Sequence, residues 1–283
     1  MKRVGVIGYP LGHTLSPVFQ QAAFDALGIE ARYEAWETPA DRLSEVVAAF
    51  RDEDCLGANV TVPHKQAVIP LLDELDPLAQ RTGAVNTIVN RQGRLRGYNT
   101  DVAGFQRALA AAGYEPGGRR AVVLGAGGAA RAVVLALLEA GAGWIGVHNR
   151  TRQRAERLVA ELRPGVTGGA LSVVSEGGLA EAAPEADLVV NSTSVGMQGS
   201  GSENASPLSP EQLPRRGLIV DIVYRPAETR LLREARSRGL QTLGGLPMLV
   251  YQGAAAFELW TERPAPVEVM MAAAQRALEG SGS

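Results

Sequence analysis

Several things are scarce in this chain of 283 residues, and each scarcity removes a class of function. A single cysteine, Cys55, excludes an internal disulfide framework and a multi-cysteine metal site, and fits a reducing, cytoplasmic setting. The three histidines, His13, His64 and His148, have no metal-ligand spacing, so no metal is expected. Charge of one sign is not in excess either. With 28 basic and 30 acidic residues the net charge is -2, which offers no broad basic field to nucleic acid and confines charge recognition to local sites. Long apolar runs are also missing. Lys2-Arg3 precedes only a short apolar run broken by Gly5 and Gly8, which reads as a first strand and not as an export signal. The most apolar helical stretch is interrupted by Arg131 and Glu139 and is too short to span a bilayer. The expectation is a cytoplasmic protein with neither a membrane nor a nucleic-acid partner, long enough for two domains with cores of their own.

Two more scarcities point toward sites. Lysine occurs only at positions 2 and 65, and arginine supplies the other 26 positive charges. A lysine kept inside such a chain is suited to what guanidinium cannot do, which is to give up and take back a proton. Asparagine occurs seven times, and Asn59, Asn86, Asn99, Asn149 and Asn191 all fall at the ends of predicted strands, where α/β folds build sites.

What is present is organised around residues 121–154. Ala121 to Leu124 suits a buried parallel strand and runs into Gly125-Ala126-Gly127-Gly128-Ala129-Ala130, which fits G-x-G-x-x-G/A. Gly125 allows the tight turn, Gly127 lets backbone approach a pyrophosphate, and Ala130 lets the helix from Gly128 to about Ala140 lie close to the sheet. That helix aims its free N-H groups at phosphate, Gly141 closes it, and Trp144 to Val147 is the next strand. An NAD-binding chain carries an acid about 20 residues beyond the glycines. Here the sequence is instead Asn149-Arg150-Thr151-Arg152-Gln153-Arg154. Hydroxyl, amide and guanidinium groups suit a 2'-phosphate, so the cofactor inferred is NADP(H). The competing reading makes Thr151 a helix N-cap and the arginines a solvated first turn, although cations are disfavoured there by the helix dipole.

The N-terminal segment reads β-α-β-α-β. After a strand at Val4 to Ile7, Ser16 is a natural N-cap with Pro17 behind it; alternatively Thr14, Ser16 and the helix N-terminus hold a small carboxylate. Arg32 to Glu37 is a second strand, and Thr38-Pro39-Ala40-Asp41 has a capping-box form that opens a helix to Phe50. Gly57 to Val62 is a third strand whose alternation aims Asn59 and Thr61 to one side before Pro63 ends it. Lys65 follows beside these polar groups, and His64 reads as a residue at the start of a helix. A hairpin spans Ala84 to Asn90 and Arg94 to Asn99 about the turn Arg91-Gln92-Gly93, with Asn86 and Asp101 at its ends. Asp101 starts a helix, where an acid is favourable. Later strands are expected at Leu171 to Val174, Asp187 to Asn191 and Leu218 to Asp221, and helices at Arg152 to Leu162, Thr229 to Arg238, Pro247 to Trp260 and Pro266 to Leu278. Ser192 to Gly217 reads as a mobile surface loop, and Gly280 to Ser283 as a frayed tail.

Together these stretches resemble the shikimate dehydrogenase family nearly end to end. The residues that carry the likeness are Gly8-Tyr9-Pro10 with His13 to Pro17, Asn59 to Lys65, Gly83 to Thr87, Gly97 to Asp101, Gly125 to Arg131 and Asn149-Arg150-Thr151. They continue in Asn191 to Met197, Asp221 to Tyr224 and Gly244 to Gly253. The resemblance implies an α/β fold in which residues 1–101 and 240–283 form a substrate domain and 102–239 a Rossmann-type, doubly wound NADP domain. The C-terminal helices return to the first domain. Because substrate and cofactor groups both lie at the carboxyl ends of predicted strands, the two sheets are expected to face each other across a cleft that closes by a hinge on ligand binding. The resemblance implies NADPH-dependent reduction of 3-dehydroshikimate to shikimate in chorismate and aromatic amino acid biosynthesis; a monomer and a homodimer both stay open. Lys65 and Asp101 are then the catalytic pair. Thr14, Ser16 and Tyr224 take the substrate carboxylate, and Asn59, Thr61, Asn86 and Gln252 the ring hydroxyls. The cofactor set is Gly125, Ala126, Gly127, Gly128, Ala129, Asn149, Arg150, Thr151, Arg154, Ile222, Gly245 and Met248. Thr14 stands where family members commonly carry serine, and its methyl narrows the pocket, which bears on selectivity against quinate. Two alternatives stay open: a quinate/shikimate dehydrogenase of broader substrate or cofactor use, and a non-catalytic NADP-binding sensor.

Overall fold

The computed structural model describes residues 1–12, 14–164 and 170–280, so His13 and the tail beyond Gly280 lie outside the described residues. The chain forms two compact units, Met1–Gly104 with Val250–Ser283, and Phe105–Leu249.

The first unit opens with strand β1 (Lys2–Gly8), helix α1 (Ser16–Ala26), β2 (Ala31–Glu37), α2 (Leu43–Ala49) and β3 (Cys55–Val60). It continues through β4 (Glu74–Leu75), α3 (Pro77–Thr82), β5 (Thr87–Arg91), β6 (Arg94–Tyr98) and the first turn of α4 (Asp101–Ala111). Its six-stranded sheet has the order β2-β1-β3-β5-β6-β4. The pairs around β1 are parallel, while β3 with β5 and β5 with β6 are antiparallel. Ile7, Ala58, Val60, Ile88 and Leu95 point from this sheet onto Leu43, Val47 and Phe50 around α2 and form one dry cluster.

Three local expectations change here. Helix α1 starts at Ser16, one residue earlier than a Ser16 cap requires. No side chain caps it, and the Thr14 Oγ1 accepts the Ser16 N-H at 3.3 Å. Thr38 makes no capping box: its hydroxyl donates to the Trp36 carbonyl, and a 3-10 turn over Ala40–Arg42 leads into a shorter α2. His64 begins no helix. It lies in a run of turns, and its buried ring meets the Thr38 carbonyl through Nε2 at 2.7 Å.

The second unit holds β7 (Arg120–Leu124), α5 (Gly128–Glu139), β8 (Trp144–His148), α6 (Arg152–Leu162), β9 (Ala170–Val173) and α7 (Glu176–Ala182). Then follow β10 (Leu188–Asn191), β11 (Leu218–Asp221), α8 (Arg230–Ser237), β12 (Gln241–Leu243) and the start of α9 (Leu246–Thr261). The last helix, α10 (Val267–Glu279), belongs to the first unit. The second sheet is wholly parallel, in the order β12-β11-β10-β7-β8-β9. Counted from β7 this is the doubly wound order of dinucleotide-binding sheets, with the switch point between β7 and β10. Short strands that are apolar along their whole length produce it, because parallel strands are covered on both faces.

Two corrections arise in this unit. Strand β12 pairs with β11, so residues 240–249 stay with the second unit and the chain crosses back inside α9, not at residue 240. The stretch 192–217 is not a loose loop. Leu208 and Leu213 are buried in the same cluster as Val189 and Leu179, and Ser209 with Gln212 makes the capping box of a 3-10 turn. The prolines and glycines that suggested looseness shape a connection anchored by two leucines. Among the described residues no helix is long and apolar enough to cross a membrane.

Candidate active site

In the first unit the polar residues singled out from the sequence converge at strand ends. Asn59 is the penultimate residue of β3, Asn86 immediately precedes β5, and Asp101 is the first residue of α4. The cap of α4 decides what Asp101 is free to do. Asn99 Oδ1 accepts the N-H groups of Asp101 and Val102 at 3.1 and 3.4 Å, so the Asp101 carboxylate is released from capping. Its Oδ2 accepts from Lys65 Nζ at 2.5 Å and its Oδ1 from Asn86 Nδ2 at 2.8 Å. Both partners of this ion pair are largely buried, with side-chain exposures of 17% for Lys65 and 7% for Asp101. A pair so enclosed attracts far more strongly than one in water.

Asn86 is the hub. Its Nδ2 also reaches Thr100 Oγ1 at 2.9 Å and Gln252 Oε1 at 3.2 Å, and its Oδ1 accepts the Thr100 N-H at 2.7 Å. Asn59 is tied to the same patch by Nδ2, which donates to Thr87 Oγ1 at 3.1 Å and the Asn86 carbonyl at 3.3 Å. Ser16 is buried, Thr14 is half-buried just before α1, and half-buried Thr61 directly follows β3. The structure thus links Lys65, Asp101, Asn86, Gln252 and Asn59 by hydrogen bonds, directly or through one shared partner. Sequence reasoning assigned no role to Thr87 and Thr100 and marked Asn99 only as a strand-end asparagine, yet all three orient this set. It also missed Tyr33, whose hydroxyl donates to Asn59 Oδ1 at 2.7 Å.

In the second unit the glycine turn follows β7 at the switch point. Gly125 has φ +115°, and a Cβ there would stand 2.6 Å from Ser192 Oγ, so the turn excludes any side chain. Gly127, the N-cap of α5, has open space where its Cβ would be, which leaves room for a ligand to approach the backbone. Thr151 occupies the N-cap of α6 but its side chain makes no capping bond. Arg152 is paired with Glu156 at 2.8 Å, while exposed Arg150 and Arg154 have no carboxylate partner among the described residues. Two unpaired guanidiniums, a free hydroxyl and an open helix N-terminus fit a phosphorylated dinucleotide.

Downstream, Ile222 follows β11, and Gly245 passes so close that a Cβ would lie 2.1 Å from the Ile222 carbonyl oxygen. Met248 is buried at 7% exposure, whereas Leu249 is half-buried. Burial pushes the pKa of the Tyr224 phenol above its ordinary value and so disfavours its ionisation. Below Ile222, fully buried Asp221 accepts from Asn191 Nδ2 and the Val223 N-H at 3.0 Å each and from Thr229 Oγ1 at 2.7 Å. Burial nevertheless dominates and lifts its carboxyl to about 6.

Comparison with known proteins settles the family. Residues 6–88 match the model of the shikimate dehydrogenase substrate binding domain, 109–230 that of shikimate/quinate 5-dehydrogenase, and 245–275 that of the shikimate 5'-dehydrogenase C-terminal domain. A shikimate dehydrogenase (NADP(+)) of Symbiobacterium thermophilum is 49% identical over 98% of this chain and 95% of its own. The chain belongs to the shikimate dehydrogenase family. The crystal structure of a Thermus thermophilus family member in complex with NADP(H) and shikimate superposes with a TM-score of 0.89 at 46% identity, over 98% of this chain and 100% of that one. A second member, from Listeria monocytogenes and in complex with shikimate and NAD, gives 0.87 at 36% identity over 95% of each chain. Family membership accounts for the motifs. The hydrogen bonds above account for why those residue types are needed.

Proposed function

We propose that this protein catalyses the reversible, NADP-dependent reduction of 3-dehydroshikimate to shikimate on the route to chorismate and the aromatic amino acids. The observation that carries this reading is the enclosed Lys65 to Asp101 contact, itself held by Asn86. Reduction of a ketone places negative charge on its oxygen, and a cation with N-H bonds to spare meets that charge best. Lys65 uses one of its three N-H groups on Asp101, and the others are available to stabilise the oxygen and deliver its proton. Asp101 positions the ammonium and accepts a hydrogen bond from the neighbouring substrate hydroxyl. Thr14 and Ser16 offer hydroxyls to the carboxylate, with Tyr224, kept protonated by burial, as a further donor. Asn59, Thr61, Asn86 and Gln252 address the ring hydroxyls.

For the cofactor, the backbone from Gly125 to Ala129 would hold the pyrophosphate. Asn149, Arg150, Thr151 and Arg154 would hold the 2'-phosphate, and Ile222, Gly245 and Met248 would border the nicotinamide. When bound, the reduced nicotinamide supplies the hydride to the ketone carbon. We further propose that the enzyme acts in the cytoplasm on small molecules alone, as a monomer or homodimer.

A spectrophotometric assay of shikimate and quinate, each with NADP and NAD, tests the reading. Shikimate with NADP should be turned over best. One feature favours a second reading of broader use: the matched nucleotide-domain model describes shikimate and quinate dehydrogenases together. Comparable turnover of quinate would select that reading, and no turnover in any arm would leave an NADP-binding sensor.

A further inference from the structure

Tyr33 lies outside every motif that marks the site, on β2, the edge strand. Its neighbours in the sheet show how it reaches inward. Tyr33 pairs with Val4 of β1, and Asn59 of β3 pairs with Val6 of β1, so the phenol passes across one strand and leans toward the carboxyl end of the sheet. The ring is buried, at 5% exposure. It is fixed independently of its hydroxyl: Trp260 stands at 6.1 Å between ring centroids, and the Tyr33 N-H donates to Gln21 Oε1 at 2.9 Å.

We infer that Tyr33 is a positioning residue for substrate binding, whose hydroxyl fixes the orientation of the Asn59 amide and thereby makes Asn59 an acceptor for a substrate hydroxyl. The inference rests on the proposed function and deepens it. The Tyr33 hydroxyl donates to Asn59 Oδ1 at 2.7 Å. Burial pushes the pKa of this phenol far above its ordinary value, against an opposing hydrogen bond from Ser16, so it stays protonated and remains a donor. A donor in that place admits only the amide oxygen opposite it. The Asn59 Nδ2 is then turned to Thr87 Oγ1 and the Asn86 carbonyl, and both amide hydrogens are committed within the protein. What Asn59 has left to offer is the second lone pair of Oδ1. Ser16, assigned to the substrate carboxylate, stands beside the same phenol. One hydroxyl thus adjoins both the carboxylate and the ring-hydroxyl parts of the subsite. Phenylalanine at position 33 would keep the packed ring but leave Oδ1 without its donor, so the amide would be held from its Nδ2 side alone and its acceptor would be less firmly aimed at the substrate hydroxyl.

The test is steady-state kinetics of the parent enzyme, Tyr33→Phe, Asn59→Ala and the double variant, with shikimate and NADP. Tyr33→Phe should raise the KM for shikimate about tenfold, with kcat within about twofold and the KM for NADP unchanged, as expected for one lost hydrogen bond in a binding step. In the Asn59→Ala background the same change should add nothing, because its target is gone. An unaltered KM for shikimate in Tyr33→Phe overturns the inference, and so does an equal rise in the Asn59→Ala background. A parent enzyme that does not turn over shikimate at all removes the proposed function, and this inference with it. An active parent with an indifferent Tyr33→Phe removes this inference alone.

Discussion

The two units solve opposite problems with opposite materials. In the first, the candidate catalytic groups are side chains, buried or half-buried and locked to one another: Lys65, Asp101, Asn86, Thr100 and Gln252 form a continuous set of hydrogen bonds on a mixed sheet. In the second, the candidate cofactor groups are backbone and glycine on a parallel sheet, flanked by exposed Arg150 and Arg154, which have no carboxylate partner among the described residues. Proton transfer to a developing charge needs donors fixed before the reaction, so the chain places buried polar side chains there and satisfies each with a neighbour. Gripping a phosphate needs access and charge, so the other unit keeps its N-H groups and guanidiniums open.

If this contrast is right, the largest effect comes from the enclosed amine. Lys65→Ala should lower kcat by about three orders of magnitude while shikimate binding, followed by direct titration, is largely kept. Unchanged turnover would take the lysine out of the chemistry. Next in size, Arg150→Ala should raise the KM for NADP by about ten- to a hundredfold and leave that for NAD nearly as it was. Equal changes for both cofactors would mean that the arginine does not read the 2'-phosphate.

A smaller effect concerns stability of the second unit alone. Gly245→Ala places a Cβ 2.1 Å from the Ile222 carbonyl oxygen, which is backbone and cannot swing away. A loss of about 2–3 kcal/mol is expected, read from denaturant melts. A variant as stable as the parent would show that the Ile222 segment yields more readily than the close approach implies.

The smallest effect is a pH dependence. Burial lifts Asp221 from 3.8 to about 6 in the folded protein. The folded value lies above the unfolded one, so this group favours the folded state most below about pH 3.8, and that contribution disappears as pH rises through about 6. Asn at 221 cannot ionise. The stability of the parent relative to Asp221→Asn should therefore fall between about pH 4 and pH 7, measured by paired thermal melts. A constant difference across that range would mean that Asp221 does not titrate as its burial suggests.

Much of this was legible in sequence, for reasons that differ by region. The nucleotide unit announced itself because its elements are local: an apolar strand, a glycine turn and a helix lie within about 20 residues of each other, and β7 and α5 fall where the pattern put them. The short strand β12 and the helices α3 and α7 were not seen, being two turns of helix or less and a three-residue strand with weak periodicity. Ser192 to Gly217 was misread because glycine and proline mark irregular backbone, and irregular backbone can still be anchored by two buried leucines.

By itself the sequence determined the chemistry on offer: the one interior lysine, the asparagines at strand ends and the basic cluster without an acid at the second strand. Only the tertiary structure decided which of those groups are committed to each other. Asn99 caps α4 and so frees Asp101, Asn86 reaches Gln252, 166 positions away, and Tyr33 reaches Asn59 across an intervening strand. The reason is physical. A residue's type fixes which hydrogen bonds it can make, whereas the partner that takes each one is set by how strands and helices distant in sequence are brought side by side.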